Sequence, residues 1–224
     1  MPKITLSINE EALPPGLSWR QKLDAAAKAG YDEIELSIND TSRLDMPYGL
    51  RTAMQGFIHD SGTRIGSLRL KFSAVDTIRS AVKFAEDMGI RIIILSDFDG
   101  EDLYKAVEYA ASAGVIIGLE MGTAEKAMEY VTRINSPFLG VCPDIGILTQ
   151  NVEEDLEKGR GHIFSAGVIF GAGRIDFKSA CDKLFELGVR RFTVNQLYDE
   201  KRPECWEAEI SSASTIIRGL RLGK

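Results

Sequence analysis

Ala85-Glu-Asp-Met-Gly89 followed at once by Ile90-Arg-Ile-Ile-Ile-Leu95 decides the fold. A helical pattern stops at a glycine, and a β-branched apolar run begins on the next residue. Glycine just past a helix end takes up the left-handed conformation at little steric cost, so the chain can turn straight into a strand. The same junction occurs at Ala25-Ala-Lys-Ala-Gly30 with Ile34-Glu-Leu-Ser-Ile38, and at His59-Asp-Ser-Gly62 with Ile65-Gly-Ser-Leu68. It returns at Ala111-Ser-Ala-Gly114 with Val115-Ile-Ile117, and at Phe185-Glu-Leu-Gly188 with Val189-Arg-Arg-Phe-Thr-Val194. The glycines at 30, 62, 89 and 114 are spaced by 32, 27 and 25 residues, one βα unit each, and the 74 residues from Gly114 to Gly188 leave room for three more. With a first strand at Lys3–Ile8 the count is eight, which predicts an α/β fold of the (β/α)8 barrel type.

Strands are expected near 3–8, 33–38, 64–70, 90–96, 115–121, 138–144, 162–168 and 191–197. Helices are expected over 18–29, 47–60, 74–88, 101–113, 123–134, 150–158, 176–187 and 204–220. Most of the strands read as continuous apolar runs, as parallel strands covered by helices should. The seventh, within Gly161-His-Ile-Phe-Ser-Ala-Gly167, is short and flanked by glycine. A doubly wound open sheet is the rival architecture, but no G-x-G-x-x-G follows the first strand. No linker or low-complexity tract interrupts the chain, so residues 1–224 are expected to form one domain. The helix-to-strand connections are short, which leaves function to the strand-to-helix loops.

The composition bounds the function. A net charge of −6 with both signs interspersed, and no Lys/Arg run, argues against nucleic acid as a partner. Cys142, Cys181 and Cys205 are far apart and odd in number, which reads as buried thiols in a reducing compartment. The N-terminal Met1-Pro-Lys-Ile-Thr-Leu has no apolar signal core and no stretch reaches membrane-spanning length, so a cytoplasmic protein without membrane contact is expected.

Two acids carry the chemistry. Val115-Ile-Ile-Gly-Leu-Glu120 and Phe138-Leu-Gly-Val-Cys-Pro-Asp144 each run apolar and end on a carboxylate. In a closed barrel such strand ends share one mouth, where a divalent cation and a sugar can sit; the alternative is that each acid merely faces water. Only two histidines exist, His59 and His162, and both read as structural: His59 at a helix end on the surface, His162 capping carbonyls of the sixth helix. Glu35 either faces the mouth or pairs with Arg69 or Lys71 of the third strand. Gly171, Gly173 and Arg174 can present N–H groups and a guanidinium to a phosphate, or form a plain turn with Asp176 as the N-cap of the seventh helix. Asp97 and Asp99 read as a solvated turn. Trp19 and Trp206 read as exterior packing or a homo-oligomer contact.

In order and spacing, several strings match one family. Ala12-Leu-Pro-Pro-Gly-Leu-Ser-Trp19, Gly30-Tyr-Asp-Glu-Ile-Glu-Leu-Ser37, Ser42-Arg-Leu-Asp45, Ala81-Val-Lys-Phe-Ala-Glu-Asp-Met-Gly-Ile-Arg91, Pro143-Asp-Ile-Gly146 and Phe170-Gly-Ala-Gly-Arg-Ile-Asp-Phe177 span almost the whole chain. They resemble the L-ribulose-5-phosphate (L-xylulose-5-phosphate) 3-epimerases, or hexulose-6-phosphate isomerase-like proteins, among the xylose isomerase-like barrels. The resemblance implies a phosphorylated pentulose or hexulose as partner, enediolate chemistry and a divalent metal. In that family the metal is held by a Glu ending strand 5, an Asp after strand 6, a His in strand 7 and a Glu ending strand 8. The first two fall on Glu120 and Asp144; Gly167 stands at the place of the His, His162 lies in the turn before it, and Asn195 replaces the last Glu. Several strand-to-helix loops are shortened.

The family's epimerisation uses two carboxylates on opposite faces of the carbon. Glu120 can serve as one base, and Asn195 cannot serve as the other. Isomerisation needs only one base on a single face. Glu120, Asp144 and the Asn195 carbonyl offer an all-oxygen set suited to Mn²⁺ or Mg²⁺. The expectation is therefore a sugar-phosphate isomerase or epimerase with an impaired metal site. The alternative is a non-catalytic paralogue that binds a carbohydrate phosphate or partners an active homologue.

Overall fold

Gly30, Gly62, Gly89, Gly114 and Gly188 all have positive φ, between 64° and 87°, and each turns a helix into the strand that follows. The computed structural model describes residues 3–71, 74–98, 100–146, 148, 151–169 and 176–220. The elements alternate strictly: β1 (Thr5–Asn9), α1 (Trp19–Lys28), β2 (Glu33–Ile38), α2 (Tyr48–Ser61), β3 (Arg64–Leu70), α3 (Val75–Met88), β4 (Ile92–Leu95) and α4 (Gly100–Ser112). Then follow β5 (Ile116–Leu119), α5 (Ala124–Ile134), β6 (Leu139–Val141), α6 (Val152–Lys158), β7 (Ala166–Val168), α7 (Phe177–Glu186), β8 (Arg191–Val194) and α8 (Trp206–Leu220).

The eight strands form one parallel sheet in the order β6-β5-β4-β3-β2-β1-β8-β7. Two isolated bridges, Val141 with Ile163 and Asp144 with Gly167, join the outer strands and close the ring. At this seam Val141 N–H donates to the His162 carbonyl at 2.8 Å and Gly167 N–H to the Pro143 carbonyl at 2.8 Å. The fold is a (β/α)8 barrel.

Helix ends fall within two residues of the sequence expectation, whereas most strands are shorter than expected. Val115 and Ile90 are buried yet lie outside the hydrogen-bonded ladders, so apolar runs overstate strand length. The seventh strand begins at Ala166 rather than 162, because His162 and Ile163 form the turn that bridges to β6.

The expectation of continuous apolar strands is corrected. Leu6 and Ile8, Ile34 and Leu36, Phe192 and Val194 belong to the core shared with the helices, while the residues between them, Ser7, Glu35 and Thr193, are buried and polar. The sheet is thus aliphatic outside and largely polar inside, since successive strand residues point to opposite faces. β4, β5, β6 and β7 carry no polar side chain, and Ile92 and Ile94 of β4 form a separate small cluster with Cys142.

The inside is plugged at the N-terminal end of the strands. Glu33 is buried and ion-paired with Arg191, and it also accepts from Arg64 Nε at 2.7 Å. Gly66 makes this possible, because a Cβ there would run into both Glu33 and Arg191. The opposite end of the ring is left for the site.

Candidate functional site

Ser67 and Arg69 lie two apart on β3, so both side chains point to its inner face, toward β2. The register sets Glu35 opposite Ser67 and Ser37 opposite Arg69. Glu35, fully buried, accepts from Arg69 Nε at 2.6 Å, Ser67 Oγ at 2.8 Å and Asn9 Nδ2 at 3.2 Å. Of the two alternatives for Glu35, pairing with Arg69 is therefore the one realised. Its carboxylate is an anchor for the guanidinium, on the inner side of the ring.

From that anchor Arg69 reaches across the mouth. Its Nη1 donates to Glu120 Oε2, and its Nη2 lies 3.5 Å from Asn195 Oδ1. Asn195 passes the chain on: its Nδ2 donates to Asp144 Oδ2 at 2.6 Å, and Gly146 N–H donates to Asp144 Oδ1 at 2.8 Å. Glu120, Asp144 and Asn195, which follow β5, β6 and β8, thus meet on one rim. Gly167 of β7 is part of the same construction. A Cβ at this position would lie 2.6 Å from Asn195 Nδ2 and 2.8 Å from Asp144 Oδ2, so the Asn195–Asp144 bond occupies the space a side chain would need.

Burial sets the electrostatics. It pushes the Glu120 carboxyl above its ordinary range; Arg69 pulls back, and the nearby Asp144 and Glu35 charges push up again. Burial also works against the Arg69 charge, but Glu35 and Glu120 outweigh it and hold the guanidinium more firmly protonated than usual. Beneath them, the fully buried Cys142 thiol is pushed up to about 12, first by burial and then by Glu35 and Glu120. Gly118 leaves room for its sulfur.

A divalent cation needs lone pairs converging on one point. Here donors and acceptors alternate around the rim: guanidinium to Glu120, guanidinium to the Asn195 oxygen, Asn195 amide to Asp144. The Asn195 oxygen faces a cation already in place, and its amide N–H₂ faces Asp144. Turning the amide over would set its N–H₂ against the guanidinium, donor to donor. Among the described residues no three His, Cys, Asp or Glu side chains converge as a metal group. The arrangement does not fit the metal that the family resemblance implies.

The remaining candidates separate. Gly171, Gly173 and Arg174 lie outside the described residues, as does Asp99. Asp176 caps α7, accepting from Ser179 N–H at 3.1 Å. His59 and Asp97 are exposed. The His162 side chain is exposed as well; its backbone N–H, not its imidazole, bonds the Gly159 carbonyl after α6, which corrects the capping role expected of the ring. Trp19 and Trp206 pack partly buried against the core. Cys142 and Cys181 are buried and Cys205 only partly so, against the expectation of three buried thiols.

Sequence reasoning missed a second buried cluster beside the mouth. Glu10, directly after β1, accepts from Lys22 Nζ at 3.2 Å, from Ser37 N–H at 3.1 Å and from Arg43. It also missed Arg69 as the centre of the rim, naming it only as a partner for Glu35. The available signal was parity: polar residues recur at every second position of β1, β2 and β8, and at Ser67 and Arg69 of β3.

Comparison with known proteins agrees with this architecture. The chain is 30% identical to L-ribulose-5-phosphate 3-epimerase UlaE of Escherichia coli strain SMS-3-5, covering 96% of this chain and 94% of that one. The aligned span of 269 positions exceeds the 224 residues present here, so segments of that relative have no counterpart. Among solved structures, D-psicose 3-epimerase with D-tagatose from Clostridium cellulolyticum H10 superposes with a TM-score of 0.82 at 13% identity, over 97% of this chain and 99% of that one. The IolI protein with a bound zinc atom superposes at 0.76 and 17% identity, over 96% of each chain. These structures share the fold. The model of the xylose isomerase-like TIM barrel matches residues 23–215, from α1 into α8, and the chain belongs to that family.

Proposed function

We propose that this protein is a sugar-phosphate isomerase or epimerase acting on a phosphorylated pentulose or hexulose, with Glu120 as the group that moves the proton. The observation that carries this reading is the placement of Glu120: a buried carboxyl with a raised pKa, held by Arg69, on a rim shared with Asp144 and Asn195. Kinship with a sugar-phosphate 3-epimerase over nearly the full chain supports the substrate class.

A carboxylate whose affinity for protons is raised toward neutrality is better matched to abstracting a proton beside a ketone. Glu120 takes that proton from the hydroxyl-bearing carbon, and the electron pair moves into an enediolate with its charge on the former carbonyl oxygen. The adjacent hydroxyl proton passes to that oxygen. The same carboxyl returns the carbon proton to the former carbonyl carbon as the new C=O forms beside it, which exchanges ketose and aldose. Asn195 neither accepts nor returns a proton at these pH values, so single-base isomerisation fits the rim better than two-base epimerisation. Asn195 and Arg69 supply hydrogen-bond donors for sugar oxygens. Gly171, Gly173 and Arg174 supply the phosphate contact in this reading.

The test is deuterium incorporation in D₂O, with a panel of pentulose and hexulose phosphates, at the carbons beside the carbonyl. Incorporation that disappears in Glu120→Gln supports the assignment. Absence of incorporation with every member of the panel overturns it.

One observation favours a second reading. The Arg69 ion pair that positions Glu120 also occupies it. A non-catalytic carbohydrate-phosphate binder would keep that pair closed. It would bind a phosphosugar saturably, with no exchange at carbon.

A further inference from the structure

We infer that Arg69 is the resident cation of this site, and that the protein engages its ligand with a guanidinium in place of a divalent metal ion. The inference deepens the isomerase reading and rests on it for the ligand, though its metal arm can be judged alone.

The geometry rests on three features. First, the guanidinium is built in. Glu35 holds Arg69 Nε at 2.6 Å from a fully buried position, and Ser67 and Asn9 occupy the carboxylate from other sides. Withdrawing Arg69 to admit an ion would leave the Glu35 charge buried and unpaired, the costly case for an ion pair. Second, the rim already distributes its lone pairs. Glu120 Oε2 and Asn195 Oδ1 face the guanidinium, and both Asp144 oxygens accept N–H groups. Third, β7 cannot contribute a ligand, since any side chain at Gly167 would displace the Asn195–Asp144 bond.

The guanidinium also has capacity to spare. Of its five N–H groups, three are committed to Glu35, Glu120 and Asn195, leaving two for a ligand oxygen. In the proton transfer described above, negative charge develops on the former carbonyl oxygen. A fixed, always-charged donor that is itself nearly buried is suited to hold it and needs no reorganisation at that moment. Once the adjacent hydroxyl proton has passed to that oxygen, the charge rests on the second oxygen, and its electron pair returns to carbon as Glu120 gives the proton back, so the guanidinium ends each cycle unchanged.

Two measurements test this. The full-length protein, stripped with EDTA and titrated with Mn²⁺ alone, is read by the EPR signal of free Mn²⁺. The expected result is no stoichiometric binding up to millimolar ion. One Mn²⁺ per chain, lost in Asp144→Ala, overturns the inference whatever the protein catalyses. Deuterium incorporation is then compared in EDTA, in Mn²⁺, and in Arg69→Ala with added methylguanidinium. The expected result is an equal rate in EDTA and Mn²⁺, a fall of about 100-fold in Arg69→Ala, and partial rescue by methylguanidinium but not by Mn²⁺. Rescue by Mn²⁺, or stimulation of the unmodified protein by about tenfold or more, overturns it. Should the unmodified protein exchange nothing, the isomerase reading fails while the Mn²⁺ titration still decides this one.

Discussion

The Glu120 carboxyl is drawn two ways, and burial prevails over the guanidinium, so its folded pKa lies above the ordinary 4.5. A carboxyl raised by folding binds more protons in the native chain than in the unfolded one. Its contribution to stability is therefore fully present below about 4.5 and is lost as the pH climbs through the raised value. Glu120→Gln removes this penalty while keeping an acceptor for Arg69. The melting temperature of Glu120→Gln relative to the unmodified protein is accordingly expected to rise between pH ~4 and ~7, measured by calorimetry at matched ionic strength. A flat or falling difference would contradict the assignment of burial as the dominant influence. The thiols give a second check. Burial pushes Cys142 and Cys181 up to about 12 each, whereas Cys205 is only half-buried. The native protein is expected to react with a thiol reagent at Cys205 alone near pH 8, with the other two appearing only in denaturant.

At the scale of elements, the helices carry their own instructions and the strands do not. Ser18 and Gln21 form a reciprocal capping box at the start of α1, and Asn135 ends α5 in the left-handed conformation. Such signals are local in sequence, which is why helix ends were legible to within two residues. One cap is not local. Asp155 of α6, nearly buried, accepts from Ala124 N–H at 2.7 Å and Glu125 N–H at 3.2 Å, reaching the start of α5 from 31 and 30 residues away. Asp155→Ala is expected to cost about 1–2 kcal/mol in denaturant unfolding, with Asp155→Asn costing less. Nothing in the sequence marks that partnership, because it depends on how the two helices dock. The site was legible in the same partial way. Strand-end position placed Glu120, Asp144 and Asn195 on one rim. The role of Arg69 depends on register and on what faces it across the mouth, and neither is encoded within its own strand.

At the scale of the whole molecule, the ring is uneven. The β2–β3 ladder pairs six residues on each strand, whereas β6 and β7 are joined by two isolated bridges. Native-state hydrogen exchange is expected to be faster at the seam amides of Val141, Ile145 and Gly167 than at the central β2–β3 amides. Equal protection at both places would show that the seam opens only with global unfolding. The site straddles this uneven ring, with Arg69 and Glu35 on its strongest ladder and Asp144 beside its weakest. Movement of the seam would shift Asp144 and Asn195 while leaving the guanidinium anchored.

The pairing of β1 with β8, from Thr5 opposite Arg191 to Ile8 opposite Val194, has a consequence for biosynthesis. β1 leaves the ribosome well before β8 and waits for it before one of its edges is covered. Until then the nascent polypeptide carries an unpaired edge open to other chains, a hazard that chaperones exist to manage.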